Sequence, residues 1–230
     1  MPKVISISGK IGAGKDYLAD ALIQELQRRG ATVRKTHFGA ALKQELNQAI
    51  SFVREHSDSS LDTIARLVSE EMGMSETEAW SLIIPLVLPV TGNSDLNAYD
   101  KSVPEIRDAL QKLGTDIRRG QNPTYWSDTV ADQIRLMDED YVIIADNRFI
   151  NEAETVKNLG GVCLRLDIPE ATLHQRRLDR DGVTMKYSVE QIQHPSEMEL
   201  DDYEGFDRIV GERFDVEELL NGILEMFWSK

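Results

Sequence analysis

The 230-residue sequence holds one cysteine, Cys163, so no internal disulfide can form and a reducing compartment suits the chain. Long apolar runs are also missing. The most apolar stretch, LIIPLVLPV at residues 82–90, contains two prolines and is too short to span a bilayer. The opening MPKVISIS lacks the apolar core and cleavage site of a secretory signal, so the expected location is the cytoplasm. Positive charge is scarce. There are 26 Lys and Arg against 40 Asp and Glu, a formal net charge of −14. Such a surface repels nucleic-acid backbones, which argues against general DNA or RNA binding but not against a local basic cleft for a small anion. Repeats, heptads and low-complexity tracts are absent.

What is there reads as one α/β domain. Five short β-like runs stand out: KVISIS (3–8), TVRKTHF (32–38), YVIIAD (141–146), VCLRLD (162–167) and DRIV (207–210). YVIIAD is nearly continuously apolar, as in a strand buried on both faces. Helical patterns fall at 15–29, 40–54, 104–119, 123–137, 169–180 and 215–228. Strands alternating with helices predict a five-stranded parallel sheet flanked by helices. The spacing is uneven. Residues 39–140 are too long for a single crossover and predict a mostly helical insertion, with TGNSDLNAYDKS (91–102) as an exposed loop inside it.

The first strand runs into SGKIGAGKDY, residues 8–17, and then into an amphipathic helical pattern. Gly9, Gly14 and Lys15 satisfy the phosphate-loop spacing G-x-x-x-x-G-K. Glycines let successive backbone N–H groups surround an anion, the following helix offers its N-terminus, and Lys15 would reach the β- and γ-phosphates. The motif usually continues with Ser or Thr, whose hydroxyl binds Mg²⁺. Here the residue is Asp16. A carboxylate is also a hard oxygen ligand for Mg²⁺, and it would make phosphate binding strongly metal-dependent. The plainer reading is that Asp16 favours the positive end of the helix dipole.

Other residues point the same way. YVIIADNRF ends a strand with Asp146, Asn147 and Arg148, where ligands bind in open parallel sheets. Asp146 either holds Mg²⁺ through water or caps the next helix, INEAETVKNL, and Arg148 suits phosphate. RRLDRDG (176–182) carries Arg176, Arg177 and Arg180, either around a transferring phosphoryl group or on a solvated face. HFGAALKQEL places His37 and Phe38 at a strand end and Lys43 one turn into a helix. Arg107, Gln111 and Thr115 share one helix face if the period is α-helical, on a stretch that also carries Arg118 and Arg119. Tyr125 and Trp126 follow, for stacking on a base or for core packing. His194 reads first as a structural histidine, and Cys163 as a buried one.

Taken together and in order, GKIGAGKDY, FGAALK, RDALQKLGTDIRR with PTYW, IIADNRFINEAE, and HPSEMEL followed by FDRIV resemble the deoxynucleoside monophosphate kinases of tailed bacteriophages. The resemblance extends from about residue 3 to about residue 225, and GKD in place of GKS or GKT is a habit of that family. It implies a P-loop kinase core with a helical acceptor-binding insertion and a mobile lid at 176–193. The implied activity is transfer of the γ-phosphoryl of ATP, with Mg²⁺, to a deoxynucleoside 5′-monophosphate in the host cytoplasm. Gly9, Ile11, Gly12, Ala13, Gly14, Lys15 and Asp16 would hold the ATP phosphates. Phe38, Lys43 and Arg107 would contact the acceptor, with Gln111, Thr115 and Trp126 alongside. Arg148 would sit by the phosphates, and Arg176 and Arg180 would belong to the lid. Lys15, Arg148, Arg176 and Arg180 are then the catalytic candidates, and Asp16 and Asp146 the metal candidates. The expected partners are nucleotides, with neither nucleic acid nor membrane, and a homodimer is left open. Two departures stand out: Tyr17 where the family often has Thr, and DNRFINE where it often has DVRFPNE. Two relatives in chemistry keep the acceptor open, because phosphomevalonate kinases of one lineage carry GKD loops and dephospho-coenzyme A kinases share the core. A nucleotide-binding switch or ATPase without a small acceptor is the alternative from another class.

Overall fold

A computed structural model describes residues 1–100, 102–181 and 195–228. Five strands form one parallel sheet in the order β2-β3-β1-β4-β5: β1 Lys3–Gly9, β2 Val33–Thr36, β3 Tyr141–Asn147, β4 Val162–Leu166 and β5 Arg208–Val210. The expected fold class is present, a five-stranded parallel sheet of P-loop type flanked by helices. Ile5, Ile7, Ile143, Val162 and Leu164 lie fully buried or nearly so along the strands, and Leu18, Leu22 and Leu26 of α1 (Lys15–Arg28) pack onto them. α10 (Val216–Trp228) adds Leu219, Leu220 and Ile223 to the same core.

Buried polar groups in β1 find neighbours on adjacent strands. Ser6 Oγ accepts from Asn147 of β3 at 3.1 Å, and Ser8 Oγ accepts from Arg165 of β4 at 2.9 Å. This explains why β1 mixes serines into an interior strand: each hydroxyl is satisfied, so its burial is not left as an unmet polar cost. Because all strands are parallel, the segments leaving β1, β3 and β4 emerge at one edge of the sheet. That edge is where α7 (Ile150–Asn158) and α8 (Glu170–Asp181) begin.

Backbone contacts divide the chain into two compact units, Met1–Phe38 with Ser127–Lys230, and Gly39–Trp126. The first holds the sheet, together with α6 (Tyr125–Arg135) from Ser127 onward, α7, α8, α9 (Pro195–Met198) and α10. The second holds α2 (Phe38–Glu55) from Gly39 onward, α3 (Leu61–Met72), α4 (Glu76–Gly92) and α5 (Pro104–Gln111). α4 contains the apolar run with Pro85 and Pro89 inside the helix. An interior proline costs about 3 kcal/mol. Burial of Leu82, Ile83, Leu86 and Val90, and a capping box between Ser75 and Glu78, favour the helix against that cost. Among the described residues no helix is long and apolar enough to cross a membrane.

The helix expected at 104–119 changes character midway. Residues Lys112–Arg119 are π-helical, bonded i→i+5. An unbroken α-period would stack Thr115 above Gln111 and Arg107. The wider turn rotates Thr115 away from that line, so the single face inferred from i, i+4, i+8 spacing is not continuous. Arg107, Gln111 and Thr115 are each exposed.

Candidate functional site

The loop between β1 and α1 is built on positive-φ glycines. Gly12 has φ 88° and Gly14 φ 95°, values that a side chain with Cβ resists. Gly14 precedes the first turn of α1 in the left-handed region, and no side chain caps that helix. Its leading N–H groups therefore remain for an anion.

Lys15 folds back over the loop. Its Nζ donates to the carbonyl oxygens of Gly9 and Lys10, the latter at 3.2 Å. Burial, reinforced by repulsion from Arg148, lowers its pKa to about 8, against the pull of Glu197. The ammonium is thus poorly solvated and close to other cations, a setting in which a bound polyanion has much to offer it.

Two neighbouring arginines of α8 grip the loop differently. Arg177 is nearly fully buried. Its Nε donates to the Ile11 carbonyl at 3.0 Å and its Nη1 to Glu170 at 2.9 Å. It is a strut beneath the loop. Arg176 donates to the Ala13 carbonyl at 3.0 Å and stays about one-third exposed, with Glu212 at 3.6 Å. Arg180 lies in α8, and its side chain, Gly182 and His194 are outside the described residues, as is 182–193 of the expected lid.

Arg176 also lines a cleft of about 290 Å³ bordered by Tyr17, Leu166, Ile168, Glu212, Phe214 and the loop backbone. Tyr17 and Phe214 face each other at 6.5 Å between ring centroids. Sequence reasoning missed Ile168, Glu212 and Phe214. They lie after β4 and β5, far from the motif in sequence, and no short pattern announces them. Tyr17, which stands where the resembled family often has Thr, gives the cleft an aromatic wall.

Asp16 sits mostly exposed in the first turn of α1, with Lys35 of β2 at 2.9 Å. Partial burial would raise its pKa, but the hydrogen bond and charge of Lys35, with His37 and Lys15, hold it below the usual carboxylate value. Lys35 also pairs with Asp20 at 2.8 Å. Asp146 accepts from the N–H of Phe38 at 2.7 Å, so it caps the start of α2, not the helix that follows its own strand. Among the described residues no group of three or more His, Cys, Asp or Glu is gathered for a metal ion.

Arg148 pairs with Glu197 of α9. Its own N–H, and that of Phe149, donate to Glu152 at the start of α7. The loop, Lys15, Arg148 and Arg176 thus come together at one edge of the sheet. Phe38 lies in the same unit but is only 3% exposed.

The remaining acceptor candidates lie in the helical unit. Lys43 is over the Tyr99 ring at 4.9 Å. Trp126 is 3% exposed and its indole N–H donates to the Gly114 carbonyl at 3.0 Å. The structure therefore corrects the stacking role offered for Trp126: core packing leaves its ring almost no surface for a base. Tyr125 is covered by the Arg118 guanidinium at 4.9 Å, and its hydroxyl is 3.1 Å from Glu45.

The adenylylsulphate kinase family matches residues 1–92, the stretch that carries the loop. No curated protein matches the chain. Solved structures similar to it include TT1252 from Thermus thermophilus, 18% identical over 97% of both chains, with a TM-score of 0.48. A gluconokinase from Sinorhizobium meliloti 1021 is 14% identical over 99% of this chain and 93% of its own, with a TM-score of 0.45. Shikimate kinase from Aquifex aeolicus vf5 is 14% identical over 98% and 96%, with a TM-score of 0.40. Likeness at these scores identifies neither activity nor substrate. The family match and the loop support a kinase-type P-loop enzyme whose acceptor they leave undetermined.

Proposed function

We propose that the chain is an ATP-dependent kinase that transfers the γ-phosphoryl group to a deoxynucleoside 5′-monophosphate. The observation that carries the kinase reading is the loop itself: two positive-φ glycines, an uncapped helix N-terminus and a desolvated Lys15. The aromatic cleft beside Arg176 supports a donor base next to the phosphates. The acceptor rests on the ordered motifs that resemble phage deoxynucleoside monophosphate kinases and on the exposed polar groups Arg107, Gln111 and Thr115.

In the reaction an oxygen of the acceptor phosphate bonds to the γ-phosphorus, and the bond from that phosphorus to the β–γ bridging oxygen breaks, releasing ADP. Little covalent work falls to the protein. Lys15, Arg148 and Arg176 offset charge on the phosphoryl oxygens, and the loop N–H groups orient the donor. Mg²⁺ fits this reading as an ion carried on the ATP phosphates. Asp16 and Asp146 are hard oxygen donors, and the lack of a gathered ligand set among the described residues suits an ion held largely by substrate. When bound, it would neutralise phosphate charge.

The test is a panel of deoxy- and ribonucleoside monophosphates, adenylylsulphate, phosphomevalonate and dephospho-coenzyme A, each with ATP and Mg²⁺. The expected result is a diphosphate product from one or more deoxynucleoside monophosphates at the highest kcat/KM. Turnover confined to adenylylsulphate, phosphomevalonate or dephospho-coenzyme A replaces the acceptor but keeps the kinase. ATP hydrolysis indifferent to every acceptor overturns the kinase reading.

A further inference from the structure

The segment from α9 to Tyr203 lays three carboxylates against the phosphate-loop edge. Glu197 is 7% exposed. One of its oxygens accepts the Ile11 N–H at 2.7 Å, and the other pairs with Arg148. Glu199 accepts the Ile150 N–H, at the first residue of α7, at 3.0 Å. Asp201 binds Lys10 at 2.9 Å and Arg165 at 2.6 Å. Three cations around the loop and one of its own amide donors are therefore already committed to this short acidic strap.

We infer that Glu197 is a built-in anion of the phosphate loop, which nucleotide must displace from the Ile11 N–H and from Arg148 in order to bind. A carboxylate and a phosphoryl group make the same demands: a backbone N–H and a forked guanidinium, both charge-assisted. Two anions cannot share one N–H and one arginine at close range without strong repulsion, so they compete. Arg177 strengthens the point. It holds the loop through the Ile11 carbonyl, and the Lys10 carbonyl, in the same peptide plane as the Ile11 N–H, accepts from the Ala13 N–H at 3.0 Å and Lys15 Nζ at 3.2 Å, so that N–H stays aimed at its partner whichever anion that is. Asp201 and Glu199 would follow, because both lie within four residues of Glu197 and bind the same edge. Displacement therefore frees Arg148 for phosphate and loosens the strap, coupling nucleotide binding to residues 195–203.

This inference rests on the proposal that the loop binds nucleotide phosphates, and the experiment separates the two. Inorganic tripolyphosphate, which has no base, is titrated calorimetrically into the full chain and into Glu197→Gln. The amide keeps the shape and an acceptor but loses the charge. The variant should bind about tenfold more tightly, the difference between a charge-assisted and a neutral hydrogen bond. Hydrogen exchange is read alongside. Tripolyphosphate should slow exchange at 9–16 and speed it at 197–203 in the natural chain. Equal or weaker binding by Glu197→Gln, or greater protection at 197–203 on binding, overturns the inference and leaves the kinase reading standing, with Glu197 then holding Arg148 in place. No binding by either protein overturns both.

Discussion

Arg118 and Arg176 are both helical arginines that donate to backbone carbonyls, yet they sit in opposite surroundings. Arg118, in the helical unit, is about 5% exposed. Glu45, the Met72 and Gly73 carbonyls and the Tyr125 ring use its whole guanidinium. Arg176, beside the phosphate loop, touches Ala13 and borders an open cleft. The difference teaches that an arginine's partners, not its neighbours in sequence, decide whether it is structure or equipment. Arg176 and Arg177 make the same point one residue apart, the first at the cleft and the second a buried strut.

The comparison breaks most sharply at Arg118. Arg118→Ala leaves Glu45 without its ion partner in a site that is nearly closed to water. Removing one member of a buried pair costs about 3–5 kcal/mol. Urea unfolding followed by tryptophan fluorescence reports it, because Trp80 and Trp126 belong to the helical unit. The double variant Arg118→Met with Glu45→Gln should lose clearly less, since no charge is then stranded. A single-variant loss below about 1 kcal/mol would mean that the pair is dispensable.

Lys15→Ala should do the reverse. Its unfolding transition should stay near that of the natural chain, while phosphoryl transfer falls about a hundred- to a thousandfold from lost charge stabilisation. Circular dichroism and turnover measured on the same sample make the check. A fall of less than tenfold with an intact spectrum would remove Lys15 from the site.

How much of this was legible in the sequence divides along the same line. Glycine spacing and a strand-to-helix switch are local, and they marked residues 9–16 because positive φ and an anion-facing helix start need those residue types nearby. Parallel strands were legible from apolar runs. α4 was not delimited, since two prolines in LIIPLVLPV disguise a helix kept in place by burial and a Ser75–Glu78 cap. Trp126 read as a stacking contact because its residue type suits a base, and Phe38 as an acceptor contact through the family resemblance, but burial is a tertiary property. The π-turns at 112–119 rotate a face that α-periodicity had drawn straight. Glu197, Arg165 and Phe214 come from α9, β4 and the segment after β5, far from the loop in sequence, and only folding brings them to its edge.

A smaller effect sharpens the loop side through pH. Lys15 has a pKa near 8 in place of 10.5, so the free protein loses this charge as pH rises through about 8. A polyanion prefers the charged form, so affinity for tripolyphosphate should weaken above pH 8 by up to about tenfold per unit, until the bound-state pKa is passed. Stability should move oppositely. Between about 8 and 10.5 the unfolded lysine holds a proton that the folded one has released, so folding is favoured as pH climbs. Lys15→Arg, which cannot titrate in this range, should flatten both curves. Affinity that is level from pH 7 to 10 in the natural chain would detach Lys15 from phosphate.

The smallest expected change separates the two readings of Asp16. Lys35 holds its carboxylate at 2.9 Å and shares itself with Asp20. If Asp16 serves Mg²⁺, directly or through water, Lys35 competes with the ion for the same oxygen. Lys35→Met should then lower the Mg²⁺ concentration for half-maximal turnover a few fold, the scale of one solvent-screened ion pair. Asp16→Asn should raise it, and Asp16→Ser should fall between, because a hydroxyl can take a place in the coordination shell. If Asp16 only favours the helix dipole, both Asp16 variants lose a few tenths of a kcal/mol of stability and none of the three variants moves the Mg²⁺ curve. The sign in Lys35→Met is the discriminating result. Lys35 also holds Asp20, so the improved Mg²⁺ response belongs to Asp16 only when it vanishes in the double variant Lys35→Met with Asp16→Asn, which keeps Asp20 free but removes the Asp16 charge.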